Sequence, residues 1–167
     1  ERRKVHTLQV NTKLERFVLP QPEAPTAFRF DPREAVLLKE VKVKKGRPLW
    51  VHQLQTSATI GRIRAARALA KDRSPQALDA LEQALAKDPF WGIRAECAKL
   101  RGKVKQERAL KALVAAASDP HPKTRRAVAT ALGQGGLRPA AAAALEGLLE
   151  GDEPSYYVQE AGTQAYA

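Results

Sequence analysis

The sequence predicts a mainly α protein: an α-solenoid of about three short helix pairs plus a closing helix, preceded by a small partial β-sandwich. Three observations predict it. A block opening on Asp88-Pro89 returns 31 residues later at Asp119-Pro120, and each copy runs through a helical stretch to a glycine, Gly102 and Gly133. Arg62, Arg94 and Arg125 fall in one column of that period, as do Ala66, Ala98 and Ala129, and likewise Leu81, Leu113 and Leu145. Upstream of these units the apolar residues alternate with a period of two. Units that recur at a fixed spacing stack side by side and bury a shared seam.

The elements follow in order. Residues 1–47 read as the end of a β-sandwich domain: Leu8 and Val10 alternate with polar neighbours, Phe28 and Phe30 flank Arg29, and Val41 and Val43 alternate with Glu40, Lys42 and Lys44. Half-buried strands carry this period. Phe17-Val18-Leu19 stops at the stiff Pro20-to-Pro25 connector, so the sheet should be incomplete with an exposed edge. Residues 48–167 read as the helical repeat domain. Ile60, Ile63, Ala66 and Leu69 mark one face of a helix, and Ser74-Pro75 opens the next by the cap-then-proline rule. The pairs fall at about 57–87, 88–118 and 119–150, with one more helix after Pro154. Arg101 occupies a column that elsewhere holds Leu69 and Leu132, which predicts less regular packing in the middle unit.

The 167 residues suffice for a real core. The formal charge of +11 is uneven: residues 1–55 carry 12 basic against 6 acidic groups, 56–118 carry 13 against 6, and 119–167 carry 4 against 6. Such an excess points to nucleic acid, a membrane surface or an acidic protein. No apolar run approaches the ~20 residues of a membrane span, and no membrane role is expected. The start lacks both a signal-peptide core and a methionine, so the chain reads as a piece of a longer protein. The single cysteine, Cys97, permits a reducing compartment, and a cytoplasmic location is expected.

Reactive constellations are scarce. His6, His52 and His121 lie far apart with no Glu following any of them, so neither a metal nor a cofactor site is expected within the chain. Cys97 sits between alanines in a helix and reads as a packing residue. Gly133-Gln134-Gly135-Gly136 lacks the Lys-Ser or Lys-Thr of a phosphate loop and reads as a turn. Trp50, Phe90, Trp91, Tyr156 and Tyr157 are expected to fill seams between units. The arginine column reads as a structural ladder of Arg62, Arg94, Arg125, Asp88 and Asp119, each arginine bridging to an aspartate six residues earlier, as in Asp88–Arg94 and Asp119–Arg125. Arg64, Arg67, Lys99, Lys103, Lys105 and Arg108 form a possible interaction surface, with a solvated edge as the plainer reading.

The helical units resemble short HEAT-like repeats. Phe30-Asp31-Pro32 with Val36-Leu37-Leu38, then Trp50 to Leu54, Arg62-Ile63-Arg64-Ala65-Ala66 and Asp88 to Glu96 further resemble the C-terminal part of bacterial zinc aminopeptidases of the aminopeptidase N and leukotriene-hydrolase type. That resemblance implies a non-catalytic scaffolding and substrate-gating module. Its partners would be the catalytic domain of the same parent chain and peptide termini, with zinc held by the parent. The His-Glu-x-x-His signature is absent, so no catalytic residue carries over and this chain itself is expected to be no enzyme. The second reading is a scaffold for an acidic protein or nucleic acid. Nucleic acid is disfavoured, because the acidic last unit interrupts any basic groove and interleaved aromatics are missing.

Overall fold

The computed structural model describes residues 4–25, 27–31, 44–104, 106–151 and 153–167. Eight α-helices follow one another among them: α1 (Arg47–Thr56), α2 (Thr59–Leu69), α3 (Pro75–Lys87), α4 (Trp91–Gly102), α5 (Glu107–Ala115), α6 (Pro122–Gln134), α7 (Pro139–Glu150) and α8 (Tyr156–Tyr166), with one 3-10 turn at Ala116–Ser118 after α5. They form two layers. The first helices of the units, α2, α4, α6 and α8, pack in sequence against one another, while α1, α3, α5 and α7 make the second layer. α1 thus lies in the second layer beside α3, ahead of the α2–α3 pair, with α2 packed closely on it.

Local chemistry sets the helix starts. Proline stands in the first turn of α1, α3, α6 and α7, where its missing N–H costs nothing. Ser74 accepts the Ala77 amide at the start of α3, as the sequence predicts, and the His121 ring accepts the Lys123 amide at the start of α6. The turn between α6 and α7 uses Gly136 at φ 84°, a left-handed conformation that glycine reaches without strain.

The core lies between the layers. Ala66, Ala98 and Ala129 of the first layer are fully buried, and Leu81, Leu113 and Leu145 face them from the second. The small column lets neighbouring first-layer helices approach closely. Gly102 and Gly133 take this furthest: a Cβ on Gly102 would stand 2.7 Å from the Ala131 Cα, and one on Gly133 would stand 2.7 Å from the Ala165 Cβ. These glycines therefore do more than end helices. They are the points where α4 meets α6 and α6 meets α8.

The β-sandwich expected at residues 1–47 is corrected by the structure. Among the described residues of that stretch no strand forms. Val5, Val10 and Val18 stand mostly exposed, and Leu8 and Phe28 are also on the surface. Alternation prepares a face, but a strand needs a neighbour for its backbone groups, and among the described residues none pairs with these. Val36 to Leu38, Val41 and Val43 lie outside the described residues. What ties the leading segment down is side-chain chemistry: Arg29 donates to the Thr56 carbonyl at 3.1 Å, and Lys45 reaches the Phe28 carbonyl and the Gln53 Oε1. The Lys45 ammonium lies 4.9 Å above the Trp50 ring. Burial and then the nearby Arg29 charge pull the Lys45 pKa down.

Arg101 is the one fully buried arginine among the described residues, at 1 % exposure. The α4 helix stays regular around it. Its Nη2 donates to the Glu82 Oε1 at 2.6 Å, while its Nε and Nη1 are buried with no partner among the described residues. Burial lowers its pKa, and the Glu82 charge works in the other direction. Glu82 does not depend on Arg101, because Arg108 also holds it at 2.7 Å. A half-satisfied buried guanidinium costs more than a packed apolar group. Arg101→Leu, which restores the residue found in this column in the flanking units, is expected to raise the unfolding free energy by about 1–3 kcal/mol. Denaturant midpoints at constant slope measure it, and a loss of stability would show that the Glu82 contact outweighs desolvation.

Candidate functional site

The polar residues of the repeat build a ladder along the first-layer edge. The second and third helix pairs and the closing helix each begin with an acid-proline pair: Asp88-Pro89, Asp119-Pro120 and Glu153-Pro154. The carboxylate accepts the backbone amide two residues on, from Phe90 at 2.9 Å, His121 at 2.8 Å and Ser155 at 2.9 Å. This short loop is the turn that acidic side chains favour ahead of a helix. It also fixes the remaining carboxylate face toward the preceding unit.

An arginine from that preceding unit fills the face. Arg62 Nη1 lies 2.9 Å from both oxygens of Asp88. Arg94 pairs with Asp119 through Nε at 2.6 Å and Nη2 at 2.9 Å, and Arg125 pairs with Glu153 at 2.6 and 2.7 Å. The expected bridge to the aspartate six residues earlier is thus corrected in one respect. The arginine does reach back to that residue, but to its carbonyl: Arg94 to Asp88 O at 2.7 Å and Arg125 to Asp119 O at 2.8 Å. The side-chain charge is paired forward across the seam. Arg94 and Arg125 consequently each bind two successive units, whereas Arg62 binds Asp88 alone among the described residues. Gln159 takes the arginine position in α8, donating to the Glu153 carbonyl at 2.8 Å.

The rungs are shielded, which makes the pairing strong. The side chains of Arg94 and Asp119 are 11 % and 6 % exposed. Burial pushes the Asp119 carboxyl up, but the Arg94 guanidinium and the His121 amide outweigh it, and the pKa lies below the usual carboxylate range. The Arg125 hydrogen bond likewise holds Glu153 low. Hydrogen bonds to these carboxylates raise Arg94 and Arg125 above the usual guanidinium value. Sequence reasoning passed over Glu153. The signal was present as a third acid-proline pair, displaced because 34 residues separate it from Asp119.

The expected interaction surface divides. Arg67 donates to Glu96 at 2.6 Å yet remains largely exposed, and Arg64 is also exposed. Lys99 and Lys103 are exposed at the C-terminal end of α4. Arg108 is on another side of the stack, bound to Glu82 and Asp79 between α3 and α5. Lys105 lies outside the described residues. Of the aromatics, Trp91 does sit in a seam, stacked on His121 with ring centroids 4.7 Å apart and Lys123 above it at 4.6 Å. Tyr156 and Tyr157 do not: they are 74 % and 62 % exposed on α8, which corrects the expectation of seam filling.

Cys97 is fully buried, and burial pushes its thiol up to about 12, so it is held as an unreactive packing group. Among the described residues no group of three or more His, Cys, Asp or Glu side chains is placed to hold a metal. Among them, too, no helix is long and apolar enough to cross a membrane.

Comparison with known proteins agrees with this geometry. The family model described as HEAT repeats matches residues 47–118 and 78–167. No curated protein sequence matches the chain at a significant level. Among solved structures, human deoxyhypusine hydroxylase in complex with glycerol is 28% identical, with a TM-score of 0.61 over 73% of this chain and 42% of that one. The chain thus spans less than half the length of the hydroxylase. These findings overturn the likeness to an aminopeptidase C-terminal region, and with it the gating role, and they lend no support to a zinc-bearing parent. The motifs quoted for that likeness, Arg62 to Ala66 and Asp88 to Glu96, are the repeat's own: they supply rung residues and small packing positions, which stacked helical units share whatever protein carries them. From the acid-proline ladder, the two helical layers and the matched family together, the chain belongs to the HEAT-repeat family.

Proposed function

We propose that this chain is a recognition module without chemistry of its own, holding an acidic protein partner against the exposed surface of its first helical layer. One observation carries the reading: the groups best suited to chemistry are turned inward and committed to the stack. The three guanidinium–carboxylate rungs are closed, Cys97 is sealed in the core, and the charged side chains exposed on α2 and α4, Arg64, Arg67 and Lys99, are all cations, beside one exposed apolar residue, Ile60. Stacked units offer a long continuous face at little entropic cost, since the surface is ordered before binding. The excess of positive charge over residues 56–118 gives the face its sign.

Calorimetric titration with a polyglutamate peptide tests it. Saturable binding at about 50 mM salt, weakening steadily as salt is raised, is the expected result. No heat and no shift in melting temperature at low salt would refute it. The 28% identity to deoxyhypusine hydroxylase favours an enzymatic reading instead. That alternative predicts that a deoxyhypusine-bearing protein gains the mass of one oxygen atom on incubation with this chain in air with a reductant, a gain that would overturn the module reading.

A further inference from the structure

We infer that an acidic helix docks across α2 and α4 on a two-by-two set of cations, Arg67 and Lys71 on one row and Lys99 and Lys103 on the other. The inference rests on the recognition reading above and names its site. Within each row the residues are four apart, so their side chains leave one face of the helix about 6 Å from each other. Lys103 caps α4 with helical backbone angles, and Lys71 lies in the turn just beyond α2, its amide donating to the Ala68 carbonyl at 3.2 Å. The two rows are juxtaposed because α2 packs on α4, at a separation typical of paired helices, about 8–10 Å. The Arg67–Glu96 contact at 2.6 Å fixes that register, since Glu96 stands three residues before Lys99 on the same face of α4.

The charge is cancelled only in part. Glu96 pairs with Arg67, the nearby Asp72 is taken by Arg47 at 2.6 Å, and the three lysines carry the remaining charge. Lys71, Lys99 and Lys103 are exposed and no carboxylate among the described residues pairs with them. The same positions in the next units are neutral: Thr130 and Gln134 on α6, and Gln164 on α8. The patch therefore stops after two helices. A duplex would need phosphate contacts continuing along the stack, whereas one helix bearing carboxylates at i, i+4 and i+7 meets both rows within this span. The cations also sit at helix C-terminal ends, where they offset the helix dipole. A purely structural role predicts changed stability without changed binding, so the two roles separate experimentally.

The test uses a fluorescent helical peptide of about 18 residues with glutamates on one face, read by anisotropy against the intact chain. Lys99→Glu with Lys103→Glu is expected to weaken binding at least about tenfold and, by placing two anions at the C-terminal end of α4, to lower the melting temperature by only a few degrees. Lys87→Glu with Lys111→Glu, an equal charge change at the second layer, is expected to change it less than about twofold. Equal losses in the two pairs would overturn the patch while leaving the recognition reading intact. No binding by the unaltered chain at low salt would refute that reading as well. Preference for a duplex of comparable length over the peptide would overturn the acidic-helix assignment.

Discussion

Arg94→Ala lowers the unfolding free energy by about 3–5 kcal/mol, because it strands a buried carboxylate and frees a buried carbonyl in one step. Asp119 loses both of its guanidinium bonds, and the Asp88 carbonyl loses its 2.7 Å donor. Arg94→Lys recovers little, since an ammonium cannot span two carboxylate oxygens and a carbonyl in one plane. The same rung governs the acid limb. Asp119 and Glu153 have folded pKa values below the unfolded ones, so their contribution is fully present above the unfolded value of about 4 and is lost as pH falls through the folded value. In Arg94→Ala burial acts on Asp119 without the guanidinium that outweighs it, so the Asp119 part of that dependence is lost or reversed and the profile below about pH 4 is flatter. Chemical denaturation across pH measures both effects. A loss below about 1 kcal/mol with an unchanged acid limb would show the rungs to be ornamental.

The rung also shows what a one-dimensional reading can and cannot reach. The arginine, alanine and leucine columns were legible because stacking forces each unit to repeat its contacts, and the boundaries at 57–87, 88–118 and 119–150 fall close to α2–α3, α4–α5 and α6–α7. The direction of pairing was not legible. Arg94 has Asp88 six residues behind it and Asp119 25 ahead, Arg125 has Asp119 six behind and Glu153 28 ahead, and sequence distance favours the wrong partner in both. Only the turn that each acid makes with its own following amide decides the matter, by aiming the carboxylate at the previous unit. Glu153 was hidden by a longer linker, and Gln159 by its change of residue type. The leading segment misled for another reason: alternation at Leu8 and Val10 or Phe28 and Phe30 is a pattern of two residues, compatible with any extended chain. Of the surface, the cations were legible as a composition, but their arrangement in two rows required knowing that α2 lies on α4.

Gly102→Val is expected to cost about 2–3 kcal/mol, and deleting the neighbouring side chain should not restore it. A Cβ at Gly102 would meet the Ala131 Cα and Cβ at 2.7 Å and the Ala131 carbonyl oxygen at 2.9 Å. Two of those three obstacles are backbone, so Ala131→Gly removes only one, and α4 must still move away from α6. That displacement strains the Arg94–Asp119 rung on the same seam, coupling packing to electrostatics. Gly147 provides the contrast. It lies in α7 with nothing within 4 Å of the place a methyl group would occupy, so Gly147→Ala meets no obstacle and is expected to stabilise by about 0.5–1 kcal/mol through helix propensity. Thermal and denaturant unfolding of both variants thus test whether the glycines at the seams are present for approach instead of flexibility. If Gly102→Val and Gly147→Ala shift stability in the same direction, the seam is looser than a 2.7 Å approach allows.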